Sequence, residues 1–330
     1  MKSKRTSLSD IAKALNVSKA TVSFVLNEKG DQFNISKEKQ KLIKEKAKEM
    51  QYVPNFFAKS LRQGQTNTIG LVLADISNPF YAELCKYIQE ELHNSGYNTI
   101  IVNTNDDMEL EKDLMRSLIQ RNIDGIIIAP INDIKDLIPI LHETHIPVVF
   151  ADRPGDENAD FVGVDNKQEA KKLISAFSSK PKKLAILAQE PTDVITIKER
   201  VQGAREECER LGIEHKYVKI SIDSDDVKNQ IDALIKDGYD SFLSLNIHCS
   251  FKCIAALNKL GVVIPEEARM ISFDDSDMFE YVNPPISALR QPVSEIGIQT
   301  ADRMRSRLKE SKEPGTHKLL ECDFIARKSH

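Results

Sequence analysis

From residue 68 onward the chain repeats one theme, a short β-branched apolar run followed by a longer amphipathic stretch. TIGLVLA leads into a helical pattern near residues 80–95, NTIIVN into one near 107–121, and DGIIIAP into another. The runs are nearly unbroken in Val, Ile and Leu, as strands must be when both faces of a sheet are covered; a sheet with one wet face would alternate apolar and polar residues. VVFAD, VGVD, KLAILA, FLSLN and RMISFDD continue the rhythm. Alternation of this kind predicts a doubly wound parallel α/β architecture. Roughly 260 residues is large for one open sheet, and the pattern divides near residues 152–165, so two similar lobes with a cleft between them are expected.

Ligands of such sheets bind beyond the carboxyl ends of the strands. That rule selects Asp75 and NPFY (78–81, with Phe80 and Tyr81), Asp152-Arg153, Asn246 and Asp274-Asp275. Carboxylates, an amide, a guanidinium and aromatic rings gathered at one cleft suit a small ligand rich in hydroxyls. Each residue also has a plainer reading, since a strand-end Asp is often a helix N-cap and Phe80 can serve the core alone. Catalysis is not expected, because no GxGxxG, P-loop or G-x-S-x-G stretch is present, and Asp274 and Asp275, as neighbours on an extended strand, point apart. No cofactor is expected either. The five cysteines show no CxxC spacing, which fits reduced thiols. His248, Cys249 and Cys253 invite a metal reading, but further ligands are lacking, and a helix with two buried thiols is the preferred account.

The first 62 residues are different. They hold 14 Lys and Arg against 6 Asp and Glu, while the remainder carries 32 against 44. A basic head on an acidic body suggests a polyanion-binding module, although charge alone also fits a solvated helix, as in KEKQKLIKEKAKEM with Leu42, Ile43, Ala47 and Met50 as its apolar stripe. The preceding stretch decides more. Ser7 and Asp10 form a capping signature, and Leu8, Ile11, Ala12 and Leu15 recur at helical spacing. Asn16-Val17 makes a break, Ser18 can cap a second helix, and Val22, Val25 and Leu26 give that helix an inward stripe. Two short helices joined this way and followed by a third make a helix-turn-helix. Lys19, Ala20, Thr21, Ser23, Phe24 and Asn27 are left on the outer face of the second helix, where base edges of a major groove are met. The hydroxyls of Ser18 and Thr21 and the free N–H groups of the helix start can hold a phosphate.

Between the two parts lies YVPNFFAKSLRQGQT, residues 52–66. Pro54 stops the preceding helix, Asn55 can cap a new one, FFAKSLR gives about two turns, and Gly64 ends it. A helix this short is marginal alone, because isolated helices below ~12 residues rarely persist in water. It is expected to form conditionally, two copies packing through Phe57 or Ala58 over a minor groove into which Leu61 wedges. Asn55, Ala58, Lys59 and Leu61 are its candidate DNA contacts.

The stretches DIAKALNVSKATVSFVLN, YVPNFFAKSLR and TIGLVLADISNPFYAEL, in that order, resemble the bacterial lactose-repressor (LacI/GalR) family of transcription regulators over essentially the whole chain. The resemblance implies an all-α headpiece reading the major groove, a hinge helix in the minor groove, and a periplasmic-binding-protein-like core that dimerises and binds an effector. By motif position Lys19, Ala20 and Phe24 fall where the family reads bases, and Ser7, Ser18, Thr21 and Ser23 near phosphates. Phe24 departs from the Arg or His of many relatives; an aromatic there suits a thymine methyl. In the core Phe80, Tyr81, Asp152, Arg200 of KERVQG, Asn246 and Asp274 match effector-contacting positions, with Asn246 followed by Ile where an Asp is common.

These readings converge on a ligand-responsive transcription regulator, a repressor acting as a homodimer or higher oligomer on palindromic double-stranded operator DNA. Its effector is a sugar or sugar phosphate, with a purine corepressor as alternative. The expected domains are a helix-turn-helix at 1–51, a hinge at 52–66, and a core at 67–330 whose first lobe takes 67–163 and 291–318 and whose second takes 164–290 and 319–330. A solute-binding protein would share the core but not the basic head, and a DNA-packaging protein would not need the cleft. The N-terminus MKSKRTSLSD lacks an apolar export core, and no apolar run approaches the ~18 residues of a membrane span, which predicts a cytoplasmic, nucleoid-associated protein with no membrane partner.

Overall fold

The computed structural model describes residues 6–53, 64–131, 138–189, 193–220, 226–309 and 314–330. The chain divides into two units, Met1–Thr66 and Asn67–His330. Asn55, Ala58, Lys59 and Leu61 of the expected hinge helix lie outside the described residues.

In the first unit α1 (Leu8–Leu15), α2 (Lys19–Leu26) and α3 (Lys37–Glu49) form a three-helix cluster. Each starts at a serine: Ser7, Ser18 and Ser36 accept the backbone N–H of Asp10, Thr21 and Lys39. Asp10 reciprocates, its carboxylate accepting the Ser7 N–H at 2.9 Å, so two N–H groups that a helix start leaves unpaired are satisfied together. Asn16 ends α1 at φ 50°, a left-handed conformation Asn tolerates. Ile11, Val22, Val25 and Ile43 are fully buried. Leu42 is not part of this core and is 52% exposed. The stripe of α3 runs through Ile43, Ala47 and Met50, and Leu42 sits a further ~100° round the helix, facing water. Ser7→Ala is expected to cost the headpiece about 1 kcal/mol, seen as roughly fivefold faster exchange of the α1 amides.

The second unit holds two six-stranded sheets with helices on both faces. The first has the order β11-β5-β4-β3-β1-β2 and the second β12-β10-β9-β8-β6-β7. In the first lobe the elements are β1 (Thr68–Leu73), α4 (Pro79–Asn94), β2 (Asn98–Asn103), α5 (Met108–Gln120), β3 (Gly125–Ile128), α6 (Ile138–Glu143), β4 (Val148–Ala151) and β5 (Asp160–Val164). In the second they are α7 (Asn166–Ser175), β6 (Lys183–Gln189), α8 (Ile195–Leu211), β7 (Glu214–Ile220), α9 (Val227–Lys236), β8 (Ser241–Ser244), α10 (Ile247–Leu260), β9 (Arg269–Phe273) and β10 (Ser287–Arg290). The chain then returns as α11 (Val293–Lys309) and β11 (His317–Leu320) to the first lobe and as β12 (Asp323–Ile325) to the second. All strand pairs are parallel except β10 with β12.

The strands β1, β3, β5 and β8 are buried at every position, their polar end residues Thr68, Asp160, Ser241 and Ser244 included. Two of the three crossings between lobes fall later than the sequence suggests. Val164 still pairs in the first sheet, and Leu319 and Leu320 pair with Gly163 and Val164, which moves the last crossing from 318/319 to residues 321–322. Helices cross closely at two glycines. A Cβ on Gly203 of α8 would stand 2.1 Å from the Lys167 carbonyl oxygen of α7, and one on Gly297 of α11 would stand 2.6 Å from Cβ of Tyr87 on α4. Cys249 and Cys253 are fully buried on α10, where burial pushes the Cys249 thiol up to about 12, so these are core thiols rather than reactive ones.

Candidate functional site

On α2 the burial of Val22 and Val25 turns Ala20 and Phe24 to the opposite side. Ser18, Lys19 and Ala20 are exposed, and Thr21, Ser23, Phe24 and Asn27 are half-buried. Ser18 Oγ and Thr21 Oγ1 lie 2.8 Å apart at the helix start, and Ser7 is exposed at the start of α1. Asn27 is placed differently from a projecting base reader. It caps α2, its amide donating back to the Ser23 carbonyl at 2.6 Å. Phe24 carries a partner absent from the sequence reading: its ring stacks on Phe33 with centroids 3.6 Å apart and planes 10° apart.

In the second unit Asp75, Phe80, Tyr81 and Asp152 from the first lobe and Arg200, Asn246 and Asp274 from the second line one cavity of about 350 Å³. The sheet order explains the convergence. In each sheet the order reverses at the first strand, and the loops beyond β1, β4, β8 and β9 all open on the cavity. Asp152 follows β4 and Asp274 follows β9, equivalent positions in the two lobes, and both adopt positive φ, 65° and 79°. Around Asp152 the Arg153 N–H reaches back to the Ala151 carbonyl at 2.7 Å, a tight turn of the strained kind. Neither Asp serves as a helix cap. Asn246 does, accepting the Cys249 N–H at 2.8 Å, and Asp75 closes a turn by accepting from Ser77 N–H and hydroxyl at 2.9 and 2.7 Å. The left-handed φ of Asp274 also corrects the extended-strand picture of Asp274-Asp275, although the two carboxylates do part: Asp275 binds Arg290 and Arg327 away from the cavity.

The polar groups form two networks. In the first lobe Tyr81 donates to Asp152 at 2.7 Å, and Arg153 donates to Asp106 at 2.7 Å with its Nε 3.9 Å from Asp152. Burial raises the Asp152 carboxyl, with Arg153 and Arg200 opposing. Burial also raises the Tyr81 phenol, against Arg153 and with Asp152, so Tyr81 stays a donor. In the second lobe Arg200 lies 3.7 Å over the Phe273 ring and donates to Asn166, the Leu245 carbonyl and Asp274 at 2.8, 2.8 and 3.4 Å. Gln291, on the strand-to-helix passage between lobes, donates to Asp274 at 2.7 Å. His248 Nε2 faces Asp75 across the cleft at 3.5 Å. Buried Arg153 Nε and Gln291 Oε1 have no hydrogen-bond partner.

Two family models match the chain. Residues 7–55 fit the bacterial regulatory proteins of the lacI family, and residues 66–328 fit the periplasmic binding proteins and sugar binding domain of the LacI family. The chain belongs to the LacI family. It is therefore a DNA-binding transcription regulator with an effector-binding core, in a family of regulators rather than enzymes. LacI-family relatives include the HTH-type transcriptional regulator KdgR of Bacillus subtilis, 29% identical over 98% of this chain and 97% of its own. The ribose operon repressor of Halalkalibacterium halodurans is 27% identical over 88% and 87%. Among solved structures the lac repressor dimer bound to operator and the anti-inducer ONPF shares the fold, with TM-score 0.83, 19% identity and 99% of each chain covered. Among the described residues no helix is long and apolar enough to cross a membrane.

Asp106, His248 and Gln291 were missed by the sequence reading of this LacI-family core. Asp106 lies three residues beyond β2 and was open to the strand-end rule. His248 lies two residues beyond Asn246 and was equally open to that rule, whereas Gln291 sits on a crossing, where nothing in the local sequence marks a cleft.

Proposed function

We propose that the cleft binds a neutral, hydroxyl-rich effector, a free sugar or polyol, and that its occupancy controls operator binding by a homodimer. The observation that carries the ligand class is the charge inventory of the cavity. Four carboxylates, Asp75, Asp106, Asp152 and Asp274, line it beside two guanidiniums, and each guanidinium is already matched, Arg153 by Asp106 and Arg200 by Asp274. A phosphate or carboxylate ligand would enter among surplus negative charge with no uncommitted Arg to receive it. A hydroxyl, donor and acceptor at once, can accept from Arg153 Nε and donate to Gln291 Oε1, relieving buried groups whose lack of a partner costs about 1–3 kcal/mol each. A planar purine fits less well, because the Phe80 and Tyr81 rings stand at 80° to one another and offer no parallel slot. The sugar-binding description of the matching family model and the ribose operon repressor among the relatives support the same class.

On the DNA side Lys19, Ala20 and Phe24 read bases, Ser7, Ser18, Thr21 and Ser23 hold phosphates, and the hinge residues Asn55, Ala58, Lys59 and Leu61 enter the minor groove. Two-fold symmetry of a dimer demands two half-sites. Effector and operator are then linked, each altering the other's affinity by one common factor.

A thermal-shift panel of neutral sugars and polyols, sugar phosphates and purines tests the ligand class. A cognate neutral sugar at 100 times its Kd should stabilise the core by about 2.7 kcal/mol, and its affinity should change when operator DNA is added. Stabilisation by a sugar phosphate or purine alone would overturn the assignment, and an effector affinity indifferent to operator would sink the coupling.

A further inference from the structure

We infer that Phe33, in the loop between α2 and α3, is part of the base-reading surface and joins Phe24 in an apolar plate that selects thymine through its 5-methyl group. The inference rests on the reading of α2 as the recognition helix and extends it to a residue outside that helix.

Phe33 is 50% exposed, and it stacks on Phe24 on the side of α2 facing away from Val22 and Val25. A single exposed apolar side chain is ordinary, but here two rings stacked together present one apolar surface on the recognition face. The loop holds it there. The Lys29 N–H reaches the Phe24 carbonyl at 2.8 Å, the Phe33 N–H reaches Lys29 at 3.3 Å, and the Ile35 N–H reaches Gly30 at 2.9 Å. Asp31 receives Lys37 at 2.7 Å and Gln40 at 2.8 Å, and Gln40 also donates to the Ile35 carbonyl at 2.7 Å. Ile35 packs against the headpiece core. Phe33 is thus carried on a braced turn, and stacking fixes the Phe24 ring in one orientation.

Two phenyl rings have no hydrogen-bonding edge, so they cannot match the donors and acceptors by which guanine, adenine or cytosine are told apart in the major groove. The group there that offers apolar surface is the thymine methyl. A rigid pair covers more of it than a lone ring free to rotate, and any base without the methyl leaves the plate facing polar edges.

The test selects binding sites from randomised duplex DNA with the full chain, wild type, Phe33→Ala and Phe33→Leu, and then replaces each thymine of the selected half-site by deoxyuridine, which removes only the methyl. Wild type should lose about fourfold in affinity at one or two thymines per half-site, the worth of a buried methyl. Phe33→Ala should show a clearly smaller thymine-to-uracil ratio there, because the lone Phe24 ring covers less of the methyl, and should select a broader set of bases. Phe33→Leu should fall between Phe33→Ala and wild type. The dependence of affinity on salt, which counts phosphate contacts, should not change. If Phe33→Ala selects the same sites with the same thymine-to-uracil ratio, Phe33 only shields Phe24 and the inference fails. A lower melting temperature with unchanged selection would overturn it in the same way. Wild-type protein that selects no sequence at all would instead remove the recognition-helix reading, and this inference with it.

Discussion

Arg200→Ala should abolish the effector response and cost the core about 3–5 kcal/mol, the range for breaking a buried charge pair by removing one partner. Arg200 is almost fully buried, and its loss strips a donor from Asn166, the Leu245 carbonyl and Asp274 at once while leaving the Phe273 face without its covering guanidinium. Asp274 keeps only Gln291, a neutral donor that cannot balance its charge. Urea unfolding should show a lowered midpoint, and thermal shift with the cognate ligand should be flat. Arg200→Lys separates the two effects: it restores a cation but not the forked geometry, so stability should partly return while ligand response does not. An alanine variant as stable and responsive as wild type would remove Arg200 from the centre of the cleft.

Asp160→Asn is the second large effect, and it falls far from the cleft. Asp160 opens β5 with no exposed surface and accepts from Arg303 and Arg307 of α11 and from the Thr316 N–H and hydroxyl. Burial alone would raise this carboxyl, but those donors prevail and hold it at about 2 against an ordinary 3.8. A depressed folded pKa adds stability above the unfolded value, here about 2 kcal/mol at neutral pH, lost as pH falls from about 4 towards 2. The amide keeps the shape and removes the charge, leaving two buried-side guanidiniums facing a neutral group, so a loss of at least 2 kcal/mol is expected at pH 7. Urea midpoints of wild type and variant should converge as the pH is lowered through that window. Parallel profiles down to pH 2 would show that Asp160 does not act through its charge.

What the sequence disclosed follows from how each residue meets water. The central strands were legible because burial on both faces forces continuous Val, Ile and Leu. The edge strand β7 was not, since EHKYVKI mixes exposed and buried positions, and neither were SALR, HKLL and DFI, which are short and, in the last two, without a fully buried position. Six of the seven cleft candidates came together because strand ends converge in this topology whatever the side chains are, whereas Arg200 lies inside α8 and was marked only by the family resemblance. Asp152 and Asp274 gave no sign of their left-handed backbone, which tertiary packing imposes. The Phe24–Phe33 stack was invisible for a simpler reason: the second ring lies beyond the end of α2, in the loop that follows it, and no periodicity links the two.

The interleaving of the lobes has a consequence for the order in which the protein can be made. The second lobe is one nearly continuous stretch up to Arg290, whereas the first, begun at Thr68, lacks α11 and β11 until residues 293–320 have left the ribosome. During translation its β5 edge is therefore unpaired, and Asp160 waits without Arg303 and Arg307, while the younger lobe already has all its strands but β12. The lobe that starts first finishes late. A nascent chain arrested at residue 290 would expose the apolar patch that Ile296, Ala301 and Met304 cover in the finished molecule, which leaves the first lobe with a surface for a chaperone to bind while the second is nearly complete.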